Sequence, residues 1–284
     1  MAFISDRFKE TLFRIYGMFT TWIGIIVLVV FLVDIFLKGV RRLNLDFLTG
    51  FPSRFPEKAG IFPAEVGTLW IFILTAAFTI PLGVAAAVLL EEFMKKGRFA
   101  SIVEVNIASL SGVPSVIYGI LGLEVFGRWL GWGNTLMAGA ATLALLIFPV
   151  VVLATREALR SVPRAVREGA YALGATRWQA VWHQVLPASL AGILTGIILA
   201  LSRAVGETAP LIIIGALTFV SFVPDSPWSE FTVLPIQIFN WTSRPQPAFW
   251  ITAAAAIVIL LAMTLMLNGI AVYLRYRWKK RLKW

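Results

Sequence analysis

The chain has 284 residues, of which 59 % are hydrophobic and only 14 % charged. A soluble domain averages about 45–50 % apolar and about 25 % charged residues, so a single water-facing core cannot hide this much apolar surface. The composition argues against a soluble enzyme or a disordered chain and points to the bilayer, while 25 Lys and Arg against 15 Asp and Glu leave an excess of +10 to be placed.

Residues 1–18 read as a short amphipathic helix, with Phe8, Leu12, Ile15 and Phe19 at helical spacing and Arg7, Lys9, Glu10 and Arg14 among them. Such a helix can lie flat on a membrane surface. A cleavable signal peptide is not expected, because the first apolar run starts late, is long and lacks a small-residue cleavage site. A membrane-crossing helix needs about 20 mostly apolar residues. Six runs qualify: 19–40, 66–90 with Pro81 inside it, 106–130, 134–155, 187–223 and 248–274. The fifth is too long for one straight span, and Gly206 and Pro210 interrupt it, so a kink or a helix followed by a shorter segment is expected. In the third, Ser111, Gly112, Pro114 and Ser115 interrupt the apolar run; small residues there suit either close helix packing or contact with a transported ligand.

With six spans both termini share one side. That side collects Arg7, Lys9, Arg14, Lys95, Lys96, Arg98, the arginines at 156, 160, 164, 167 and 177, and the basic residues of 275–283. The opposite side holds only Lys38, Arg41, Arg42, Arg54, Lys58, Arg128 and Arg244. The asymmetry places both termini in the cytoplasm, and it reads as a topology signal rather than a nucleic-acid surface. Trp129, Trp132, Trp250, Trp278 and Trp284 suit headgroup anchors.

Several chemistries are excluded. There is no cysteine, so no thiolate metal site or disulfide forms within the chain. The only histidine is His183, which leaves a triad or a histidine metal cage without partners and reads as a surface residue. No Gly-x-x-x-x-Gly-Lys-Ser/Thr loop occurs, so the chain does not hydrolyse ATP by that route. No metal site is expected.

Within the fifth run Arg203 and Glu207 stand four residues apart, on one helix face, where they can pair. A charge at bilayer depth costs at least about 2.5–3.5 kcal/mol, so neither faces lipid. Two readings are open: a structural ion pair that locks two helices, or the lining of an anion path, to which arginine is suited by its forked donors.

The segment from Arg156 to Gln184 is the longest polar stretch on the cytoplasmic side. Val162, Val166, Ala170 and Leu173 form one apolar stripe at helical spacing, Gly174 offers a stop and Thr176 a cap for a second short helix, and Leu186-Pro187 ends the segment. The result is a helical elbow, which fits a partner's groove as well as it fits a plain surface loop.

The spacing Glu168-Gly169-Ala170, three residues, Gly174, nine residues, Gln184-Val185-Leu186-Pro187 resembles the Glu-Ala-Ala loop of bacterial ABC importer permeases. Gly169 stands where that pattern has its second alanine, and Gln184 where it has an aliphatic residue. Further stretches, Gly112-Val113-Pro114-Ser115-Val116-Ile117-Tyr118-Gly119, Ala204-Val205-Gly206-Glu207-Thr208-Ala209-Pro210-Leu211 and Leu234-Pro235-Ile236-Gln237-Ile238-Phe239-Asn240-Trp241, are similar to phosphate importer permeases of the PstA type.

The resemblance implies an all-α integral membrane protein. It would have six transmembrane helices, with a MetI-like importer permease core and an additional N-terminal span. Residues 1–64 would form the amphipathic helix, first span and outer loop, 65–275 the permease domain with its coupling loop at 156–187, and 276–284 a basic tail. It implies a subunit that passes inorganic phosphate into the cell across a bacterial or archaeal plasma membrane and is itself no enzyme. ATP and Mg would be held by a separate ATP-binding subunit, present in two copies, with no cofactor in this chain. Glu168, Gly169, Ala170, Gly174, Leu186 and Pro187 would couple to that ATPase. Arg203, Glu207, Thr208, Ser111 and Ser115 would line the path. A second permease of the PstC type and an extracytoplasmic phosphate-binding protein would complete the assembly, the latter docking on 224–247. Alternatives are a permease for molybdate or sulfate, or a proton-coupled secondary transporter.

Overall fold

The computed structural model describes residues 2–95, 97–216 and 219–281. Side chains of 2–7 and 278–281 are outside the description, so of the expected headgroup anchors the Trp278 side chain and the whole of Trp284 lie outside what is described. Among those residues five helices are long and apolar enough to cross a membrane, and a sixth span is supplied if one sharply bent pair is counted together.

Helix α1 (Ala2–Val40) is continuous over 39 residues. The amphipathic helix expected at 1–18 is therefore not a separate element but the first turns of the first span. No proline interrupts 2–40, and Gly17 has nothing packed against it to force a turn. Almost every side chain of α1 from Phe8 onward is exposed in the isolated chain. Its hold on the rest is the close approach of Gly39 to the backbone of Ala254, where a side chain would collide. Asp34 pairs with Lys38 at 2.6 Å.

After the short α2 (Leu45–Thr49), capped by Asn44, the loop is pinned by Arg42, which donates to the carbonyls of Pro56, Glu57 and Ala59. Phe47, Ile61, Leu234, Trp241 and Phe249 close a second apolar cluster with it. Helix α3 (Phe62–Val88) then crosses and ends in a π-helical turn, Leu89–Phe93.

The third run does not form one straight span. Helix α4 (Arg98–Leu110) and α5 (Ser115–Gly122, continued as a π turn to Trp129) meet at 101°. Pro114 supplies no N–H and disfavours a helical residue before it, so the break falls at 111–114.

Helix α6 (Leu136–Arg160) is the central post, with most of its side chains buried. It packs on α3 and on α9 (Leu186–Val205) through glycines: a methyl at Gly83 would press into Val151, and one at Gly196 would overlap Ala154. Its first turn is capped by Thr135 and by the carbonyls of Ser229 and Pro227. Beyond it come α7 (Arg164–Ala172) and α8 (Arg177–Ala180). A π turn, Val181–Val185, joins α8 to α9 without a break, so one helix runs from Arg177 to Val205.

Leu186-Pro187 was expected to separate elbow from span, but it does not. The wider π turn just before Pro187 accommodates the missing N–H and the bulk of the proline ring, so the helix continues. The last elements are α10 (Ala209–Ile214), ended by left-handed Gly215, then α11 (Leu234–Thr242) and α12 (Ala248–Arg281). The sixth helix thus runs past the expected 274 into the basic tail. It is tied to α9 by Ser202 bonding Asn268 and by Arg275 donating to Thr195 at 2.9 Å.

Candidate functional site: a broken helix and a clamped elbow

Helix α9 stops at Val205 and α10 begins at Ala209, with Gly206, Glu207 and Thr208 between them. The expected interruption of the fifth run is therefore present. Arg203 Nε reaches Glu207 Oε1 at 3.4 Å across it. The arginine side chain is 51 % exposed in the isolated chain and the glutamate 17 %. At about 1.5 Å per residue Arg203 stands roughly 26 Å from the start of α9, within the thickness of a bilayer core. A guanidinium left half open at that depth cannot be covered by lipid without large cost.

Thr208 turns its hydroxyl to the Gly206 carbonyl at 3.4 Å. Ser111 bonds the Ala108 carbonyl at 2.6 Å, and Ser115 opens α5. Among the described residues no hydrogen bond joins either serine to Arg203 or Glu207. The link between the two breaks is instead Tyr118 with its neighbour Gly119. The Tyr118 hydroxyl donates to the Leu110 carbonyl at 2.7 Å, which spans the α4–α5 bend. Gly119 beside it packs against the Pro210 backbone and Ile213 with no room for a side chain. The sequence singled out this stretch but assigned Tyr118 no role. The i+4 distance from Pro114 is the signal that places it one turn inside the new helix.

On the other face of the molecule the elbow forms as expected in outline. Thr176 and Gln179 make a reciprocal capping box at the head of α8. Gly174 takes φ +84, a left-handed conformation that favours glycine. Glu168, Gly169 and Gly174 are exposed and Ala170 is half-buried. Leu186 and Pro187 sit inside the continuous helix, half-buried.

The expected apolar stripe is split. Val162 and Val166 pack with Leu159 and Val185, whereas Leu173 is 91 % exposed. Leu173 is the C-cap of α7, beyond the last helical residue Ala172, so the helical phase that turns Val166 inward is not carried to it. His183 is exposed, with Nδ1 against the Gln179 carbonyl.

The arginines behind the elbow were read only as a topology signal, yet they do structural work. Arg156 pairs with Glu91 and Glu104, and Arg160 with the same two. Arg167 reaches Glu92 through Nη2 at 2.5 Å and Nε at 3.2 Å, and also donates to the carbonyls of Leu159 and Val162. These groups wall a cavity of about 890 Å³ between the end of α3, α4 and the elbow. The signal in the sequence was the pair Glu91-Glu92 closing an apolar span, two carboxylates with no reason to be there unless met by cations.

The 224–247 stretch, expected as a docking loop, is packed inward over part of its length. Phe231 to Leu234, Ile236, Gln237 and Trp241 are buried, whereas Trp228, Glu230, Phe239 and 242–243 are open. Leu234 N–H bonding Thr68 and Thr232 lying against Gly67 hold it down on α3.

Comparison with known proteins follows this geometry. The family described as binding-protein-dependent transport system inner membrane component matches residues 79–280. The probable ABC transporter permease protein YqgI of Bacillus subtilis is 35 % identical over 208 residues, covering 72 % of this chain and 70 % of that one. The phosphate transport system permease protein PstA 1 of Mycobacterium tuberculosis is 34 % identical over 226 residues, covering 78 % of this chain and 73 % of that one. Among solved structures, a chain of the bacterial alginate ABC transporter has TM-score 0.68 at 18 % identity and covers 94 % of this chain and 96 % of that one. A chain of the inward-facing MetNI methionine ABC transporter has TM-score 0.62 at 19 % identity, covering 75 % and 93 %. At those identities the likeness carries the fold alone, and it is the expected MetI-like permease fold. The chain belongs to the family of binding-protein-dependent transport system inner membrane components, as an integral membrane permease.

Proposed function

We propose that this chain is one half of the translocation path of an ATP-driven importer for inorganic phosphate. The observation that carries the reading is the half-open Arg203, paired with Glu207 at a break in a membrane helix. The relatives named for phosphate transport support the substrate class.

Arginine presents planar, permanently charged donors that match phosphate oxygens. Glu207 holds the guanidinium when no anion is present and competes for it when one is, which keeps binding weak enough for release. Thr208, and Ser111 and Ser115 at the neighbouring bend, supply further hydroxyls toward the path. The half of Arg203 left open in the isolated chain is closed by a second permease of the PstC type, whose own polar groups complete the lining.

The chain has no nucleotide loop, so ATP and Mg belong to a separate cytoplasmic ATPase, in two copies. The elbow is its docking point: Glu168, Gly169, Ala170 and Gly174 meet the ATPase, and Leu186 and Pro187 carry the push into the membrane. Because α8, the π turn and α9 form one helix, displacement of the elbow is delivered along it to Arg203, and the path alternates between the two sides. Both termini then lie in the cytoplasm, and an extracytoplasmic phosphate-binding protein delivers substrate to the opposite face.

The test is uptake of labelled phosphate by the complex reconstituted in vesicles, with ATP inside the ATPase-facing compartment and molybdate or sulfate as competitors. ATP-dependent phosphate uptake that excess sulfate and molybdate leave intact supports the reading. Uptake of another oxyanion in preference, or uptake driven by a proton gradient without an ATPase, overturns it.

A further inference from the structure

The end of α3 and the elbow meet at the Glu92–Arg167 pair, with side chains 7 % and 17 % exposed, beside Val88 packed on Leu159, Val162 and Val185 and the Phe93 ring against Trp178. Arg167 does more than neutralise the carboxylate. Its Nη1 donates to the Val162 carbonyl at 2.8 Å and its Nη2 to the Leu159 carbonyl at 2.9 Å, the last carbonyls of α6 and the turn after it. One guanidinium therefore ties three bodies: the last turn of α3, the end of α6 and the first turn of the elbow helix α7. Glu91, the neighbour of Glu92, faces the other way and takes Arg156 and Arg160 of α6.

In a regular α-helix adjacent residues point about 100° apart and four residues fall in register along one face. The π turn Leu89–Phe93 resets that register at the helix end, where Glu91 and Glu92 are required on two different partners. A cavity adjoins the pair, and Val88 and Phe93 add apolar contacts beside it, so Glu92–Arg167 is the charged, directional part of a mixed joint between elbow and α3.

We infer that Glu92 and Arg167 are positioning residues for transport: they form the joint that passes elbow displacement into α3 and α6. The inference rests on the proposed ATPase-driven mechanism. Without the joint, the elbow still docks and ATP is still hydrolysed, but the stroke reaches only α9 and transport is uncoupled.

The experiment uses the full reconstituted complex with Glu92→Gln, Arg167→Lys and the exchange Glu92→Arg/Arg167→Glu. Three quantities are read: co-purification of the ATPase, ATP hydrolysis, and phosphate moved per ATP. A thiol reporter, Gly112→Cys at the α4–α5 bend in this cysteine-free chain, reads ATP-dependent labelling and needs no transported substrate. Glu92→Gln should leave assembly and hydrolysis within twofold, cut phosphate per ATP at least tenfold and abolish the ATP-dependent labelling change. Arg167→Lys should fall between, and the exchange should stay as low as Glu92→Gln, because a carboxylate at position 167 cannot donate to the Leu159 and Val162 carbonyls. Wild-type phosphate per ATP in Glu92→Gln, or a labelling change that persists in it, overturns the joint. So does loss of assembly in all three variants, which would make the pair merely structural. If the unmodified complex moves no phosphate but the labelling change is lost in Glu92→Gln, the joint stands and the phosphate reading falls.

Discussion

Arg203 and Glu207 face each other at 3.4 Å across the point where the fifth span stops being a helix. An i,i+4 pair on a continuous helix would be an ordinary surface interaction worth a few tenths of a kcal/mol. Here the helix gives way to a tight turn, with Gly206 N–H bonding the Arg203 carbonyl and Glu207 N–H the Ala204 carbonyl, so the carboxylate stands just past the end of the helix that carries the arginine. Arg203→Gln should reduce phosphate uptake at least tenfold and up to about a hundredfold, as expected when charge-assisted hydrogen bonds worth about 1.5–3 kcal/mol are lost. Arg203→Lys should retain part of the uptake, because charge stays but the fork does not. Uptake by vesicle-reconstituted complex, normalised to the ATPase recovered with it, checks both. Unchanged uptake in Arg203→Gln removes the arginine from the path.

The contact between α6 and α9 gives a prediction about packing alone. A methyl at Gly196 would overlap the Ala154 Cβ. Gly196→Ala should therefore lower the melting temperature of the purified chain in detergent. The exchange Gly196→Ala/Ala154→Gly moves the small residue to the other helix and should recover most of the loss. The helix cost of glycine, about 1 kcal/mol, is carried by one position in both versions and cancels. A double variant no more stable than the single one would show that the two helices do not meet here.

Much of this was legible from residues, and what was not has a common cause. The apolar runs announce their helices because a bilayer demands about 20 such residues, and Arg203 and Glu207 announce a site because charge is expensive there. Helix continuity was less readable. Pro187 reads as a boundary, yet the π turn before it lets the helix pass, while Pro114 reads as a mere interruption and bends its span by 101°. Sequence periodicity cannot distinguish a proline that is accommodated from one that is not. Arg167 and Glu92 were invisible as a pair because 75 positions separate them and the positive charges near them serve topology equally well. The buried run 231–237 was not legible within 224–247, since Pro227, Pro235, Pro245 and Pro247 give the whole stretch the composition of an open loop.

The absence of cysteine makes the orientation directly measurable. Ala172→Cys on the elbow and Ser243→Cys after α11 are both exposed and distant from the packed core. In intact cells an impermeant thiol reagent should label Ser243→Cys and spare Ala172→Cys, and inverted vesicles should give the opposite pattern. Labelling of Ala172→Cys from outside would reverse the topology and with it the assignment of the elbow to the ATPase.

Two glycines of the elbow should respond in opposite directions. Gly169 has an ordinary helical backbone and nothing within 4 Å of where a methyl would lie, so Gly169→Ala should stabilise α7 by up to about 1 kcal/mol and leave ATPase recovery unchanged. Gly174 has equal space but φ +84, so Gly174→Ala must strain the turn by about 1–2 kcal/mol without any steric clash. That strain falls between α7 and the capping box at Thr176, the two parts that present the docking face. Gly174→Ala should therefore weaken co-purification of the ATPase several-fold while the membrane helices melt as before, and Gly174→Trp should abolish it. Recovery of the ATPase at wild-type levels with Gly174→Trp would mean that the exposed tip of the elbow is not the surface the ATPase grips.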